Sequence, residues 1–202
     1  MRLDTDQRRT QLLALAKATF SDRAYDDVSI DDFAREAKIS KGLLYHYFPT
    51  KRDLYVAGLR EIASELVAAI ASVPQQLAPI ERVRAGLDAY LDHIKRHARA
   101  FVSLMRSGIG SDPEVVAVIE GVRTQLFEQL LHGTTFATML TGNARFEIGV
   151  RGWIGFVESV SIDWCANPQL TQNELRELLT TILYEVVRVV VPDVFASLTR
   201  DQ

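Results

Sequence analysis

Apolar positions recur at helical spacing along almost the whole chain, as Leu12, Leu13, Leu15, Ala16 and Phe20 in the first segment and Leu54, Leu59, Ile62, Leu66 and Ile70 in a long later one. The period predicts helices near 5–21, 29–36, 40–46, 50–73, 80–97, 99–107, 113–132, 143–165 and 171–191. Glycine and proline fall mostly between these segments, at Pro49, Pro74, Pro79, Gly108, Gly110, Pro113, Gly142, Pro168 and Pro192. Start signals agree with those joints. Ser29, Thr50 and Thr171 each precede a carboxylate by three residues (Asp32, Asp53 and Glu174), a pairing that satisfies free N–H groups of a first helical turn. Asp112 before Pro113 reads as an N-cap followed by the one helical position where proline costs nothing. Val186–Val191 is β-branched enough for a strand, yet it continues the period from Glu174, and a lone strand has nothing to pair with. The expected fold class is all-α.

Two of the short helices stand apart. Residues 29–36 and 40–46 are separated by Ala37, Lys38 and Ile39, the spacing of a helix-turn-helix. In such a unit the first helix, with Ile30, Phe33 and Ala34 inward, braces a second that lies in the DNA major groove. That recognition helix would be Lys41–His46. Leu44 and Phe48 are four apart and turn inward onto Leu12, Ala16, Phe20 and Phe33, while Tyr45, His46 and Tyr47 carry polar tips able to reach phosphate oxygens. Gly42 leaves room for backbone to approach a base, and Lys51 adds its charge to the positive end of the next helix. Short helix pairs of this kind also occur in proteins that never touch DNA, so spacing alone leaves both readings open.

The stretch "SIDDFAREAKISKGLLYHYFPTKRDLY" (29–55), preceded by "AKATFSDRAYDDV", resembles the DNA-binding domain of the TetR/AcrR family of bacterial transcriptional regulators over roughly residues 7–60. The resemblance implies an N-terminal three-helix helix-turn-helix domain (1–55) and a C-terminal helical ligand-binding and dimerisation domain (56–202). It also implies a homodimer that usually represses and leaves double-stranded operator DNA when a small-molecule effector binds. It places Ser29, Ser40, Lys41, Gly42, Tyr45, His46, Tyr47 and Lys51 at positions that commonly face DNA. One departure is visible: Lys38 stands where the family commonly has glycine in the turn. Left-handed backbone there costs about 1–2 kcal/mol with a side chain present. Either the turn differs or a lysine aimed at phosphate offsets the cost.

Composition narrows the alternatives. The chain has 202 residues, 48% hydrophobic and 24% charged, enough to bury a substantial core. Its net charge of −3 is mildly segregated, with 11 Lys+Arg against 9 Asp+Glu in residues 1–60. Arg35, Lys38, Lys41, Lys51 and Arg52 against Glu36 give residues 35–52 a local basic face. The single cysteine, Cys165, excludes an internal disulfide framework and fits a reducing compartment. "MRLDTDQRRT" lacks a signal peptide's apolar stretch, and no window approaches the ~18 apolar residues that span a bilayer, so a cytoplasmic protein is expected.

The C-terminal helices carry long apolar rows. Phe146, Val150, Trp153, Ile154, Val157 and Trp164 lie on one, and Leu175, Leu178, Leu179, Ile182, Leu183, Val186, Val187 and Val190 on the other. Doubled by a two-fold axis, such a pair makes a four-helix interface and predicts a roughly palindromic operator. Gly149, Gly152 and Gly155 point to close helix approach or to a loosened helix lining a cavity. Phe101, Leu104, Met105, Val122, Phe127 and Phe156 are candidates to line a pocket for an apolar or aromatic compound. His93 and His97 have metal-ligand spacing, but surrounding charges mark a solvated face, and no metal or cofactor is expected. No P-loop, H-E-x-x-H or G-x-S-x-G is present, and "GIGSDP" (108–113) lacks the third glycine of a dinucleotide fingerprint, so no enzyme is expected. A helical ligand-binding or protein-interaction module without DNA binding is the alternative function.

Overall fold

The computed structural model describes residues 5–106, 108–131, 137–193 and 195. Its helices are α1 Thr5–Asp22, α2 Ile30–Glu36, α3 Lys41–Tyr47, α4 Lys51–Ala71, α5 Pro79–Arg96 and α6 Ala98–Arg106. A 3-10 turn, Gly108–Ser111, follows, then α7 Pro113–Leu131, α8 Ala137–Leu140, α9 Ala144–Ala166 and α10 Gln172–Val190. Among the described residues there is no strand, and Val186–Val190 is helix. The expected helix ends at 107 and 132 lie outside the described residues. Among the described residues α8 and the 3-10 turn were not anticipated, since four residues are too few to show a period.

The chain divides into two compact units, one of residues 1–65 and 95–120 and one of 66–94 and 121–202. In the first, Leu12, Ala16, Phe20, Phe33, Leu44, Phe48 and Leu54 form the core, as the spacing required, and Leu104 and Val115 from later helices join it. Tyr55 is buried there with its ring edge-on to Phe20 at 4.9 Å, and burial pushes its phenol up to about 12. The first turn of α4 closes as expected, Thr50 N–H donating to the Asp53 carboxylate and Asp53 N–H to the Thr50 hydroxyl.

In the second unit α9 and α10 are the main packing pair. Trp153 Nε1 donates to the Leu179 carbonyl at 3.0 Å, and Thr171 with Glu174 forms a full capping box. Gly149 permits the contact, because a Cβ there would lie 2.9 Å from a Val190 methyl and 3.1 Å from one of Val186. Gly152 and Gly155 are different: both are exposed, and a Cβ on either meets nothing. His93 corrects the expectation of a solvated face. It is 2% exposed, because position 93 lies one turn beyond Tyr90 and beside Ile94 on the buried side of α5.

Candidate nucleic-acid interface

The turn between α2 and α3 is built by three backbone bonds. Ala37 N–H donates to Phe33 O at 2.9 Å, Lys38 N–H to Arg35 O at 3.1 Å and Ile39 N–H to Ala34 O at 3.0 Å, the last two being the paired bonds of a Schellman motif. That motif demands left-handed backbone at its centre, and Lys38 supplies it with φ 55°. Ser29 and Ser40 cap the two helices, their hydroxyl oxygens accepting from Asp32 N–H and Leu43 N–H. Each hydroxyl proton stays available to donate outward. Only half of the Ser29 box forms, since the Asp32 carboxylate accepts from Arg35 at 2.7 Å instead.

Helix α3 is fixed from one side only. Leu44 is its one buried residue and Phe48, just past its end, is 3% exposed, whereas Lys41, Gly42, Leu43, Tyr45 and His46 are all exposed. A Cβ built on Gly42 meets nothing within 4 Å, so nothing in the fold requires glycine at that position. Tyr47 is half-buried against the core, with the His46 ring edge-on at 5.4 Å. Lys51 Nζ sits 4.4 Å from the centroid of the Tyr25 ring, a cation–π contact that holds the ammonium at the start of α4. Leu43, 39% exposed, belongs to the same outward face, a residue the apolar pattern had assigned no role.

Three basic residues of this region are engaged within the protein: Arg35 with Asp32 at 2.7 Å, and also Lys41 and Arg52. Lys41 pairs with Asp31 at 2.9 Å, and the hydrogen bond to that carboxylate holds its ammonium above the ordinary lysine value. Both partners are largely exposed, so the pair is weak. Arg52 is committed elsewhere: its guanidinium grips Asp112 at 2.5 and 2.7 Å and Glu114 at 2.9 Å, while Arg60 adds a bond to Glu114 at 3.1 Å. The basic face read from the sequence therefore loses Arg52.

The apolar pocket candidates do not gather in one unit. Phe101, Leu104 and Met105 belong to the first, where Leu104 packs in the core. Val122 and Phe127 are half-buried on α7 in the second unit, with the Phe127 ring 5.9 Å from Phe146, and Phe156 is 37% exposed on α9. Among the described residues no group of three or more His, Cys, Asp or Glu is placed to hold a metal, and no helix is long and apolar enough to cross a membrane.

Comparison with known proteins agrees with this geometry. Residues 12–58 match the family of bacterial regulatory proteins, tetR family, and residues 79–198 match the tetracyclin repressor-like C-terminal domain. A tetR-family transcriptional regulator from Streptomyces coelicolor has a crystal structure similar to this one, with TM-score 0.85 at 30% identity over 98% of this chain and 89% of that one. The HTH-type transcriptional activator FasR of Mycolicibacterium smegmatis is 31% identical over 120 residues, 59% of this chain and 55% of its own. The HTH-type transcriptional regulator HbdR of Aromatoleum is 32% identical over 106 residues, 50% of this chain and 45% of its own. The chain thus spans about half the length of these two curated relatives.

Proposed function

Since the chain belongs to the tetR family of bacterial regulatory proteins, and is therefore a DNA-binding transcriptional regulator and not an enzyme, we propose that it works as a cytoplasmic homodimer on a palindromic operator, repressing until a small apolar or aromatic ligand releases it. DNA reading is assigned to residues 1–55, and ligand binding and dimerisation to 56–202. The observation that carries the reading is the outward face of α3, anchored by Leu44 and Phe48 and free of packing demands at Gly42. Lys41 would exchange Asp31 for a phosphate, while Ser29, Ser40, Tyr45, His46, Tyr47 and Lys51 would add sugar and phosphate contacts that fix register. Lys38, held by the turn, would reach the same backbone. Leu43 and the open side of Gly42 would meet base edges or a thymine methyl.

The dimer reading is supported by one exposed face of the α9–α10 pair. Ile148 is 72% exposed, Val189 60%, Leu178 43% and Phe156 37%, and Gly152 and Gly155 present no side chain between them. Exposed apolar residues on a helix pair favour closure by a second copy about a two-fold axis. Similarity to a protein named as an activator bears on the sign of regulation.

The test is selection of a duplex from a random pool, followed by titration at several salt concentrations. A specific duplex is expected, with affinity falling as salt rises by a log–log slope of about −0.9 per phosphate neutralised. Tyr47→Ala with Lys51→Ala should abolish it, and Ile148→Asp should give monomers in light scattering. Transcription from a template carrying the selected site then assigns repression or activation. Absence of any preferred duplex at modest salt refutes the proposal.

A further inference from the structure

Two buried hydroxyls meet in the second unit, and the fold makes no use of either. The buried side of α5 carries Leu87, Tyr90, Leu91 and Ile94, and that of α9 carries Val150, Trp153, Ile154, Val157 and then Ser161. Tyr90 is 6% exposed and Ser161 0%. Neither the Tyr90 Oη nor the Ser161 Oγ has a hydrogen-bond partner among the described residues. Burial drives the Tyr90 phenol far above its ordinary pKa, and the Ser161 hydroxyl acts against that rise as a facing side-chain group, so the two hydroxyls approach each other without closing a hydrogen bond of good geometry. A buried hydroxyl that has lost its water and gained no partner is a cost with no structural return.

The neighbouring charges say what kind of group these hydroxyls suit. On the α7 side, Arg123 donates from Nε at 2.9 Å and from Nη2 at 2.5 Å to the Glu158 carboxylate, one turn before Ser161. The charges of both reach Tyr90. With its guanidinium already engaged, this pair offers an incoming anion no free cation and confronts it with a carboxylate. A neutral head group meets no such repulsion. Within the second unit α7 buries no residue: Val122, Leu126, Phe127 and Leu130 are all only half-buried, so apolar surface remains on that side.

We propose that Tyr90 and Ser161 form the polar anchor of a ligand site, taking the neutral carbonyl or hydroxyl head of a molecule whose body is apolar. The proposal rests on the reading above that this part of the chain receives an effector. A carbonyl oxygen would accept from both hydroxyls, and a ligand hydroxyl would donate to one and accept from the other. Neither residue is among the six apolar positions singled out from the sequence.

The chain's two tryptophans, Trp153 and Trp164, both lie on α9 and report on the site by their emission. The probes are methyl octanoate, 1-octanol and octanoate at matched chain length. The two neutral probes should shift the emission at concentrations about tenfold lower than octanoate. Tyr90→Phe and Ser161→Ala should each weaken them about threefold to tenfold, the value of one neutral hydrogen bond. Both variants should keep or raise the melting temperature, because each removes an unpaired buried group. Wild-type affinity for the neutral probes in both variants, equal binding of octanoate, or no emission change with any probe overturns the site. A second arm measures binding to the selected duplex. If the neutral probes bind through these hydroxyls yet leave duplex affinity unchanged, the anchor stands and ligand-controlled release falls. If they weaken duplex binding equally in wild type and variants, release stands and the anchor falls.

Discussion

Replacing Lys38 by glycine separates two consequences of one residue. Lys38 holds φ 55° at the centre of the α2–α3 turn, where its Cβ crowds the backbone by about 1–2 kcal/mol. Glycine removes that penalty but returns about 0.4–1 kcal/mol through a freer unfolded chain, so Lys38→Gly should stabilise by roughly 0.5–1 kcal/mol net. For a chain of this length that raises the melting midpoint by about 2 °C. Lys38→Ala is the control: it keeps the Cβ and should gain nothing. Both variants delete a charge beside α3, and if that charge meets a phosphate both should flatten the log–log salt dependence of duplex binding by about 0.9. Calorimetry in parallel with anisotropy titrations reads the two effects. Equal melting midpoints for Lys38→Gly and Lys38→Ala would refute the strain argument, and an unchanged salt slope would refute the phosphate contact.

Gly42→Ala should raise stability by up to about 1 kcal/mol in denaturant titration, because a Cβ there meets nothing and alanine is the better helix former, while weakening binding to the selected duplex. Gly149→Ala should do the reverse, since the added methyl lies 2.9 Å from a stiff valine; overpacking of about 1–3 kcal/mol outweighs the propensity gain and lowers the denaturation midpoint. Arg52→Ala should lower the melting temperature more than Arg60→Ala does, because Arg52 holds both Asp112 and Glu114. Hydrogen bonding to Arg52 holds the Asp112 carboxyl below its ordinary value, so that contribution is complete above the unfolded pKa and is lost as pH falls through the folded one; the gap between wild type and Arg52→Ala should close below about pH 4. Asp31→Asn removes the carboxylate 2.9 Å from Lys41 and should tighten duplex binding severalfold at low salt without changing the preferred sequence.

Most of the architecture was legible because the helical period reports the row of side chains each helix buries. The same period placed Leu44 and Phe48 against Phe20 and Phe33. What the sequence hid depends on partners far along the chain. Arg52 counts as one more basic residue beside the recognition helix until the fold brings Asp112 and Glu114 to it. Leu104 reads as apolar wherever it goes, and spacing does not say that it completes the core under α1 to α4. His93 was misread because the charges at 92, 95 and 96 are its neighbours in sequence, whereas burial is decided one turn away, at Tyr90.

Exceptions to local rules carry a different kind of information, because each has to be explained by something the rule does not see. Gly149 breaks helix propensity and is explained inside the chain by Val186 and Val190. Gly42 breaks the same rule with nothing around it to explain the choice, which agrees with the proposal that a duplex approaches α3 there. Ser161 continues a buried row otherwise made of Val150, Trp153, Ile154 and Val157, and Tyr90 brings a second hydroxyl to it; no group among the described residues answers either. Natural sequences depart from consistency chiefly where function requires it. By that criterion α3, the exposed glycines of α9 and the seam between α5 and α9 are places, among the described residues, where the fold alone does not account for the residues it holds.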